Sequence, residues 1–144
     1  FKASDVVVVT FPKCGTTWTQ EIVWTILKNK NLDNPNASLP VNIRCPFIEF
    51  DFQMNHHGLP PYEPGYDIYD EFHSTNPSRN PEDGIFLQMT ELCEEPRVIK
   101  SHLPLSLLPP SLLDICKVIY VARNPKDVIM SFHHHSRLIK HHNY

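Results

Sequence analysis

Three apolar runs recur along the chain, and each predicts a β-strand. The first lies between Asp5 and Thr10 and contains four consecutive valines, a pattern typical of a parallel strand covered on both faces. The second and third runs span residues 97–101 and 117–122. We therefore predict three strands in one parallel sheet.

Amphipathic helices are predicted to follow the first and third strands. After the turn at residues 11–15, apolar residues recur at spacings of three and four, which predicts a helix running to about Lys30. Another helix is expected to begin near Pro125, because proline is favoured in the first turn of a helix. The apolar positions of the first helix are Trp18, Ile22, Val23, Ile26 and Leu27.

The middle of the chain has a different composition. Nine of the fourteen prolines lie between Pro35 and Pro96, together with Asn, Asp and aromatic residues. A disordered linker is normally poor in aromatics, so we predict irregular structure with short helical turns, folded over the sheet and lining a pocket. The aromatic residues here include Phe47, Phe50, Phe52, Tyr62, Tyr66 and Tyr69.

Composition and charge exclude several classes of protein. The 144 residues are 41% hydrophobic and 20% charged, which fits one ordinary soluble domain. No apolar run reaches the roughly 18 residues of a membrane span. The formal charge of −3 argues against a nucleic-acid surface made by bulk charge, so any anion site must be local. We expect a cytoplasmic protein that binds neither nucleic acid nor membrane.

Neither the cysteines nor the histidines have the spacing of a metal site. The cysteines form no C-x-x-C pair, which favours reduced thiols. Five of nine histidines cluster late in the chain, but their repeats of seven and eight are too long for ligands on one helix. We expect no metal. The residues concerned are Cys14, Cys45, Cys93 and Cys116, and His133, His134, His135, His141 and His142.

The loop between the first strand and the first helix has the features of an anion site. Such a loop gathers free backbone N–H groups and the positive end of the helix dipole at one place. Gly15 lets the backbone approach a ligand closely, and Lys13 supplies a mobile positive charge. Thr16 and Thr17 add hydroxyl donors.

Magnesium-dependent phosphoryl transfer is disfavoured at this loop. The nucleotide-triphosphatase pattern G-x-x-x-x-G-K-[ST] is absent, since Lys13 precedes Gly15 and the first glycine is missing. No Asp closes the strand at residues 118–122 to hold the metal. A nucleoside kinase-like enzyme, which would need magnesium, is therefore the weakest functional alternative.

Three stretches of the sequence, taken in order, resemble the cytosolic sulfotransferase family. TFPKCGTTW at residues 10–18 is similar to that family's 5′-phosphosulfate loop. RVIKSHLP at 97–104 resembles its catalytic strand end, and YVARNPKDVIMS at 120–131 resembles its 3′-phosphate segment. The resemblance implies a P-loop-like three-layer α/β fold, with a central parallel sheet, helices on both faces, and a sheet that is incomplete in this chain.

The resemblance implies that matching residues hold the sulfuryl donor, 3′-phosphoadenosine 5′-phosphosulfate (PAPS), and its product PAP. Trp18 would pack against adenine, while Arg123 and Ser131 would hold the 3′-phosphate. A guanidinium at a strand end suits this role independently, because it binds phosphate bidentately and open α/β sheets bind ligands there. The 5′-phosphosulfate would be held by Lys13, Gly15, Thr16 and Thr17, and Cys14 is counted with them among the donor-binding residues.

The same resemblance implies the parts of a sulfuryl transfer. This reaction needs a base for the acceptor proton, positive charge on the leaving oxygen, and alignment. His102 would be the base, and Lys13 and Lys100 would neutralise charge on the transferring group. No metal is required. The acceptor would be a small lipophilic molecule with a hydroxyl or amine, such as a phenol, a steroid or another alcohol.

Ordinary structural roles remain as alternatives for single residues. Thr16 could be a helix cap, and His102 a hydrogen-bonded structural histidine. Arg123 could pair with Asp127 across one helical turn. Ser131 could bond to its own helix backbone.

Cys14 also has two explanations. It either fills space in the loop or is a reactive thiol near a helix N-terminus. Thiol chemistry of the phosphatase type is excluded, because position 20 is Gln20 rather than arginine.

The sulfotransferase catalytic domain is longer than this chain, and its Arg-Lys-Gly and dimer-contact motifs are absent from the sequence. We therefore expect residues 1–144 to form a partial domain carrying the donor site and the catalytic base, with a homodimer as one option for the full-length form. The rival function is a truncated, non-catalytic product that binds PAP or PAPS. An incomplete sheet leaves an edge uncovered, so we expect the isolated chain to be poorly stable.

Overall fold

The computed structural model describes residues 1–52 and 67–138, in which a three-stranded parallel sheet forms the centre of an α/β fold. The strands are β1 (Val6–Thr10), β2 (Val98–Ser101) and β3 (Lys117–Val121), in the spatial order β2-β1-β3. The three predicted strands are confirmed, and each is one residue shorter than its apolar run. The helices are α1 (Thr16–Lys28), α2 (Val41–Arg44), α3 (Asp67–Thr75), α4 (Ile85–Leu92), α5 (Leu112–Ile115) and α6 (Pro125–Leu138).

The register of the sheet brings the carboxyl ends of all three strands to one edge. Val9 of β1 pairs with Ser101, the last residue of β2. Thr10 pairs with Val121, the last residue of β3. The segments that follow the strands are therefore neighbours, at the edge where open α/β sheets bind their ligands.

Both faces of the central strand are covered, as its valine run predicted. Successive side chains of a strand point to opposite faces, and the two faces of β1 belong to different apolar clusters. Val6 and Val8 pack with Val23 and Trp24 of α1. On the opposite face, the cluster comprises Val7, Val9, Ile99, Leu108, Leu112 and Cys116.

Only part of the apolar surface predicted for α1 packs on the core. Trp18, Ile22 and Ile26 are 78%, 54% and 58% exposed. The helix has two apolar stripes. Among the described residues, the sheet covers the stripe that contains Val23 and Trp24 and leaves the stripe of Trp18, Ile22 and Ile26 exposed. The buried residues of α1 are Thr16, Gln20, Val23 and Trp24.

A buried ion pair joins the segments that lead into β1 and β2. Arg97 Nε and Nη2 donate to the two carboxylate oxygens of Asp5 at 2.7 and 2.6 Å. Nη1 of Arg97 donates to the Thr90 carbonyl at 2.9 Å. Burial alone would raise the pKa of Asp5, but the hydrogen bonds from Arg97 and from the Lys2 N–H hold it below its usual value.

The proline-rich middle contains more helix than predicted, namely α2, α3 and α4 besides 3₁₀ turns at Pro35–Ser38 and Pro81–Asp83. A buried carboxylate, Asp51, accepts hydrogen bonds from the first two N–H groups of α4, those of Ile85 and Phe86, each at 3.0 Å. This contact satisfies donors that a helix start leaves without intrahelical partners. The predicted aromatics Tyr62 and Tyr66, and likewise His56 and His57, lie outside the described residues.

The two outer edges of the sheet differ. The outer edge of β2 is continued by residues 46–48, because Lys100 N donates to the Pro46 carbonyl at 2.9 Å and Ile48 N donates to the Lys100 carbonyl at 3.3 Å. Among the described residues, β3 has no strand on its outer side. No helix in residues 1–52 and 67–138 combines the length and the apolar character needed to cross a membrane.

Candidate functional site

The loop from β1 to α1 presents free N–H groups at the start of a helix. Gly15 occupies the N-cap position of α1, so Thr16 is not the cap. The φ of Gly15 is 97°, in the left-handed region that glycine adopts readily. Within the described residues, the backbone N–H groups of residues 15–18 donate to no protein acceptor. Together with the positive end of the α1 dipole, they form a site for an anion.

A cavity of about 760 Å³ opens at this loop. The loop after β1, the end of β2, the segment after β3 and the central part of α6 all contribute to its walls. Phe47 and Phe50, from the proline-rich middle, complete one side. Nine of the ten residues predicted for the site line this one cavity: Lys13, Gly15, Thr16, Thr17, Trp18, Lys100, His102, Arg123 and Ser131.

Cys14 is the predicted site residue that does not line the cavity. It is 8% exposed and borders a separate groove with Phe11, Tyr120 and Val128. This position favours the space-filling explanation of Cys14 over a thiol that touches the donor.

The imidazole of His102 is held by the last residue of the central strand. Its Nδ1 lies 2.8 Å from the Thr10 carbonyl oxygen and 3.1 Å from Thr10 Oγ1. A carbonyl oxygen only accepts hydrogen bonds, so we assign the hydrogen of the neutral ring to Nδ1. Nε2 then carries the free lone pair, which is the form that a general base requires.

The surroundings of His102 favour this neutral form. Burial lowers the pKa of His102, the nearby Lys100 cation lowers it further, and the hydrogen bond to Thr10 opposes both effects. The net effect holds the pKa below its ordinary value of 6.5. This direction favours the neutral ring at physiological pH.

Thr10 also connects His102 to the start of α1. Its Oγ1 lies 2.5 Å from Oγ1 of Thr16, the first residue of α1. One side chain thus links the end of β1, the start of α1 and the ring of His102.

Phe47 contacts Lys100 of the second strand and His102, the residue that follows this strand. Lys100 Nζ lies 4.0 Å from the centroid of the Phe47 ring. The His102 ring meets Phe47 edge-on, with centroids 5.0 Å apart and planes at 81°. Burial lowers the pKa of Lys100, and the nearby carboxyl of Glu49 opposes this effect.

Glu49 and Thr10 are site residues that the sequence analysis missed. The buried Glu49 accepts a hydrogen bond from the backbone N–H of His102 through Oε1. Burial raises the pKa of Glu49, and this hydrogen bond opposes the effect. A signal for Glu49 was present, since it is an acid placed between Ile48 and Phe50 in an otherwise apolar segment.

The cationic side chain of Arg123 is exposed at the cavity, and its Nη1 donates to the Lys13 carbonyl at 3.2 Å. In the part of the chain that the structure describes, no ion pair joins Arg123 to Asp127. The hydroxyl of Ser131 is likewise without a hydrogen bond to any described residue. The structural alternatives considered for these two side chains are therefore not formed, and both are accessible to a ligand.

The late histidines are not brought together as metal ligands in the described residues. His133 and His134 are exposed on α6, with ring centroids 5.9 Å apart. His135 lines the cavity, while His141 and His142 lie outside the described residues. Across residues 1–52 and 67–138, no group of three His, Cys, Asp or Glu side chains could hold a metal ion.

Comparison with known sequences gives matches along nearly the whole chain. Residues 3–144 match the family described as "Sulfotransferase domain". The chain is 40% identical over 139 residues to sulfotransferase 1A1 of Mus musculus, a match covering 96% of this chain and 38% of that protein. It is 36% identical over 140 residues to luciferin sulfotransferase of Photinus pyralis, covering 95% and 34%. The chain thus spans little more than a third of these relatives' length.

Solved structures with the same fold carry a nucleotide. A retinol dehydratase in complex with androsterone and the inactive cofactor PAP aligns with a TM-score of 0.64 and 29% identity, over 95% of this chain and 40% of that one. A retinol dehydratase in complex with retinol and PAP aligns with a TM-score of 0.63 and 30% identity, over 95% and 41%. These alignments confirm the predicted fold class.

Proposed function

The chain belongs to the sulfotransferase domain family, and on that premise we propose that its cavity binds PAPS and that the protein transfers the sulfuryl group to a hydroxyl or amine of a small lipophilic acceptor. One observation carries the proposal. The free N–H groups of residues 15–18, the guanidinium of Arg123 and the imidazole of His102 meet at a single cavity. Anion binding and proton removal can therefore occur side by side.

The residues of the loop suit the 5′ end of the donor. An atom placed where Gly15 lacks a side chain would meet nothing within 4 Å, so a phosphosulfate can approach the backbone there. Lys13 adds a positive charge at the same wall. Trp18, which is 78% exposed, offers a flat face for the adenine ring.

The 3′-phosphate is assigned to Arg123 and Ser131. Both line the cavity, and a guanidinium and a hydroxyl are donors that bind phosphate oxygens. The related retinol dehydratase structures, which contain PAP, support a donor of this class.

We assign proton removal in the transfer to His102 and charge stabilisation to Lys13 and Lys100. PAPS supplies an activated sulfuryl group. Nε2 of His102 takes the proton of the acceptor hydroxyl as oxygen bonds to sulfur and the bond from sulfur to the 5′-phosphate oxygen breaks. Thr10 then stabilises the imidazolium through its carbonyl contact with Nδ1. Lys13 and Lys100 stabilise the negative charge on the transferring group and on the departing PAP.

The acceptor side of the cavity favours a flat apolar molecule. Phe47 and Phe50 lie in the wall beside His102, and their ring centroids are 5.5 Å apart. Aromatic walls with few polar groups are typical of sites for lipophilic ligands. We assign the acceptor to phenols, steroids or other alcohols, and we place the protein in the cytoplasm by analogy with the cytosolic members of the family.

Transfer of radiolabelled sulfate tests this proposal. The complete protein in which this sequence occurs is incubated with labelled PAPS and a panel of phenols and steroid alcohols, with no metal added. Labelled product that depends on both protein and acceptor is the expected result. Binding of PAP without transfer to any acceptor would favour the non-catalytic alternative, and absence of PAP binding would contradict the donor site itself.

A further inference from the structure

A buried carboxyl group that is not part of the cavity wall contacts the backbone of the proposed base. Glu49 is 5% exposed and does not line the cavity. Its Oε1 accepts a hydrogen bond from the backbone N–H of His102. Its Oε2 is buried and has no hydrogen-bond partner among the described residues.

The position of Glu49 follows from the way its segment continues the sheet. Phe47 forms a parallel bridge with Lys100, and the hydrogen bonds on either side join Lys100 to Pro46 and Ile48. This short ladder ends at Ile48. Glu49 therefore lies at the end of β2. The backbone N–H of His102 has no backbone acceptor in this ladder, and it donates to the side chain of Glu49 instead.

His102 is consequently held at three points. Glu49 accepts a hydrogen bond from its backbone N–H, and the Thr10 carbonyl oxygen lies 2.8 Å from Nδ1. The edge-on contact with Phe47 restricts rotation of the ring. The two ring contacts depend on where the backbone of residue 102 lies. A shift of that backbone would break the Nδ1 contact and turn Nε2 away from its place at the cavity.

Glu49 is a buried acid whose ionised form is stabilised by the His102 N–H, by the Ser101 side chain and by the nearby Lys100 cation. A buried carboxyl group with one unpartnered oxygen costs free energy of folding that an apolar side chain would avoid. The contact with His102 supplies a reason for its presence, because a hydrogen bond to an ionised acceptor is shorter and stronger than one between neutral groups.

We propose that Glu49 is a positioning residue for His102. Its carboxyl group accepts the hydrogen bond of the His102 backbone N–H and so fixes the backbone of this residue. Nδ1 of the imidazole then keeps its contact with the Thr10 carbonyl, and Nε2 remains directed to the cavity. The effect on turnover rests on the function proposed above. The effect on the imidazole does not, because it concerns the geometry of the chain alone.

The test compares Glu49→Ala with Glu49→Gln in the complete protein, because an amide oxygen can still accept the hydrogen bond from His102. Glu49→Ala is expected to lower kcat for sulfuryl transfer by about tenfold to a hundredfold, with the Kd for PAP changed by less than about twofold. Glu49→Gln is expected to restore kcat to within about threefold of the wild type. Nitrogen NMR of His102 is expected to show hydrogen on Nδ1 in the wild type and in Glu49→Gln, and mixed tautomers in Glu49→Ala.

Asp51→Ala is the matched control. Asp51 is also a buried carboxyl group that accepts backbone N–H groups, but its partners are Ile85 and Phe86 rather than His102. Its loss is expected to lower stability to urea while leaving kcat and the His102 tautomer unchanged. An equal loss of kcat in Asp51→Ala and Glu49→Ala would overturn the proposal.

Three further results would overturn it: a wild-type kcat and tautomer in Glu49→Ala, a Glu49→Gln variant as impaired as Glu49→Ala, or a PAP affinity that falls in step with kcat. If Glu49→Ala does not fold, Glu49→Gln decides alone, since retention of the Nδ1 hydrogen supports the proposal and its loss overturns it. If the wild type transfers no sulfate, the proposed function fails, while the tautomer comparison still decides the role of Glu49.

Discussion

The carbonyl oxygen of Thr10, the last residue of the central strand, lies 2.8 Å from Nδ1 of His102. This contact decides which ring nitrogen can act as a base, because it occupies Nδ1 and leaves Nε2 to the cavity. The strand that leads into the loop at residues 12–18 thereby also determines which ring nitrogen of His102 is free.

Replacement of His102 is expected to separate catalysis from donor binding. His102→Gln removes the base but keeps a polar side chain of similar reach, so kcat should fall by about 10²–10⁴-fold. The Kd for PAP, measured by calorimetry, should change little, because the donor is assigned to other residues. His73→Gln, at an exposed histidine of α3, is the control. Turnover equal to that of the wild type in His102→Gln would refute the assignment of the base.

Replacement of Arg123 is expected to weaken nucleotide binding through the 3′-phosphate alone. Arg123→Ala should lower the affinity for PAP by about tenfold to a hundredfold, because it removes charge-assisted hydrogen bonds to phosphate. The affinity for adenosine 5′-monophosphate, which lacks the 3′-phosphate, should be unchanged. Calorimetry with both nucleotides measures the difference.

The control for Arg123 is Arg79→Ala, at an arginine that pairs with Glu91 at 3.0 Å and does not line the cavity. An Arg123→Ala variant that binds PAP normally would contradict the prediction. So would one that loses affinity equally for both nucleotides.

The titration of His102 is expected to be shifted toward acid. Because burial holds its folded pKa below 6.5, the ring should gain its second hydrogen only below that pH, and Nε2 should be available as a base at neutral pH. The contribution of His102 to the free energy of unfolding is greatest above the pKa of His102 in the unfolded chain, and it declines as the pH falls through the pKa of the folded protein. An NMR titration of the nucleotide-free protein measures the midpoint, and a value at or above 6.5 would be inconsistent with the buried site.

The ion pair of Asp5 and Arg97 is expected to be a major contributor to stability. Asp5→Asn leaves a buried guanidinium without its counter-charge and should lower the free energy of unfolding by about 3–5 kcal/mol. Glu91→Gln, in the more exposed pair with Arg79, should cost less than about 1 kcal/mol. Urea unfolding of the complete protein measures both variants, and equal losses would show that burial is unimportant.

The same pair predicts a pH dependence. The folded pKa of Asp5 lies below its unfolded value near 3.8, so the stabilisation is full above that value and is lost as the pH falls through the folded pKa. The difference in unfolding free energy between the wild type and Asp5→Asn should therefore shrink in acid. A difference that stays constant with pH would contradict the assignment.

Contiguous parts of the site could be predicted from the sequence. The loop at residues 12–18 follows a valine run and precedes a helical pattern, so local rules place its N–H groups together. Lys100, His102 and Arg123 join it because each lies at or just after a predicted strand end, and parallel strands end at one edge.

The contacts that orient His102 could not be predicted in this way. Thr10 and Glu49 act on His102 from 92 and 53 residues away in sequence, and no local pattern encodes such a pairing. The choice between the two apolar stripes of α1 could not be predicted for a related reason. Its two apolar stripes are equivalent in the sequence, and only the position of the helix on the sheet decides that Trp24 is buried and Trp18 exposed.

A crystal structure of the complete protein with PAP tests the central claim most directly. The account predicts the 5′-phosphate within hydrogen-bond distance of the N–H groups of residues 15–18, the 3′-phosphate on Arg123 and Ser131, and Nε2 of His102 facing the 5′ end of the nucleotide. PAP bound at another surface, or bound at this loop with Nε2 of His102 turned away from it, would contradict the account.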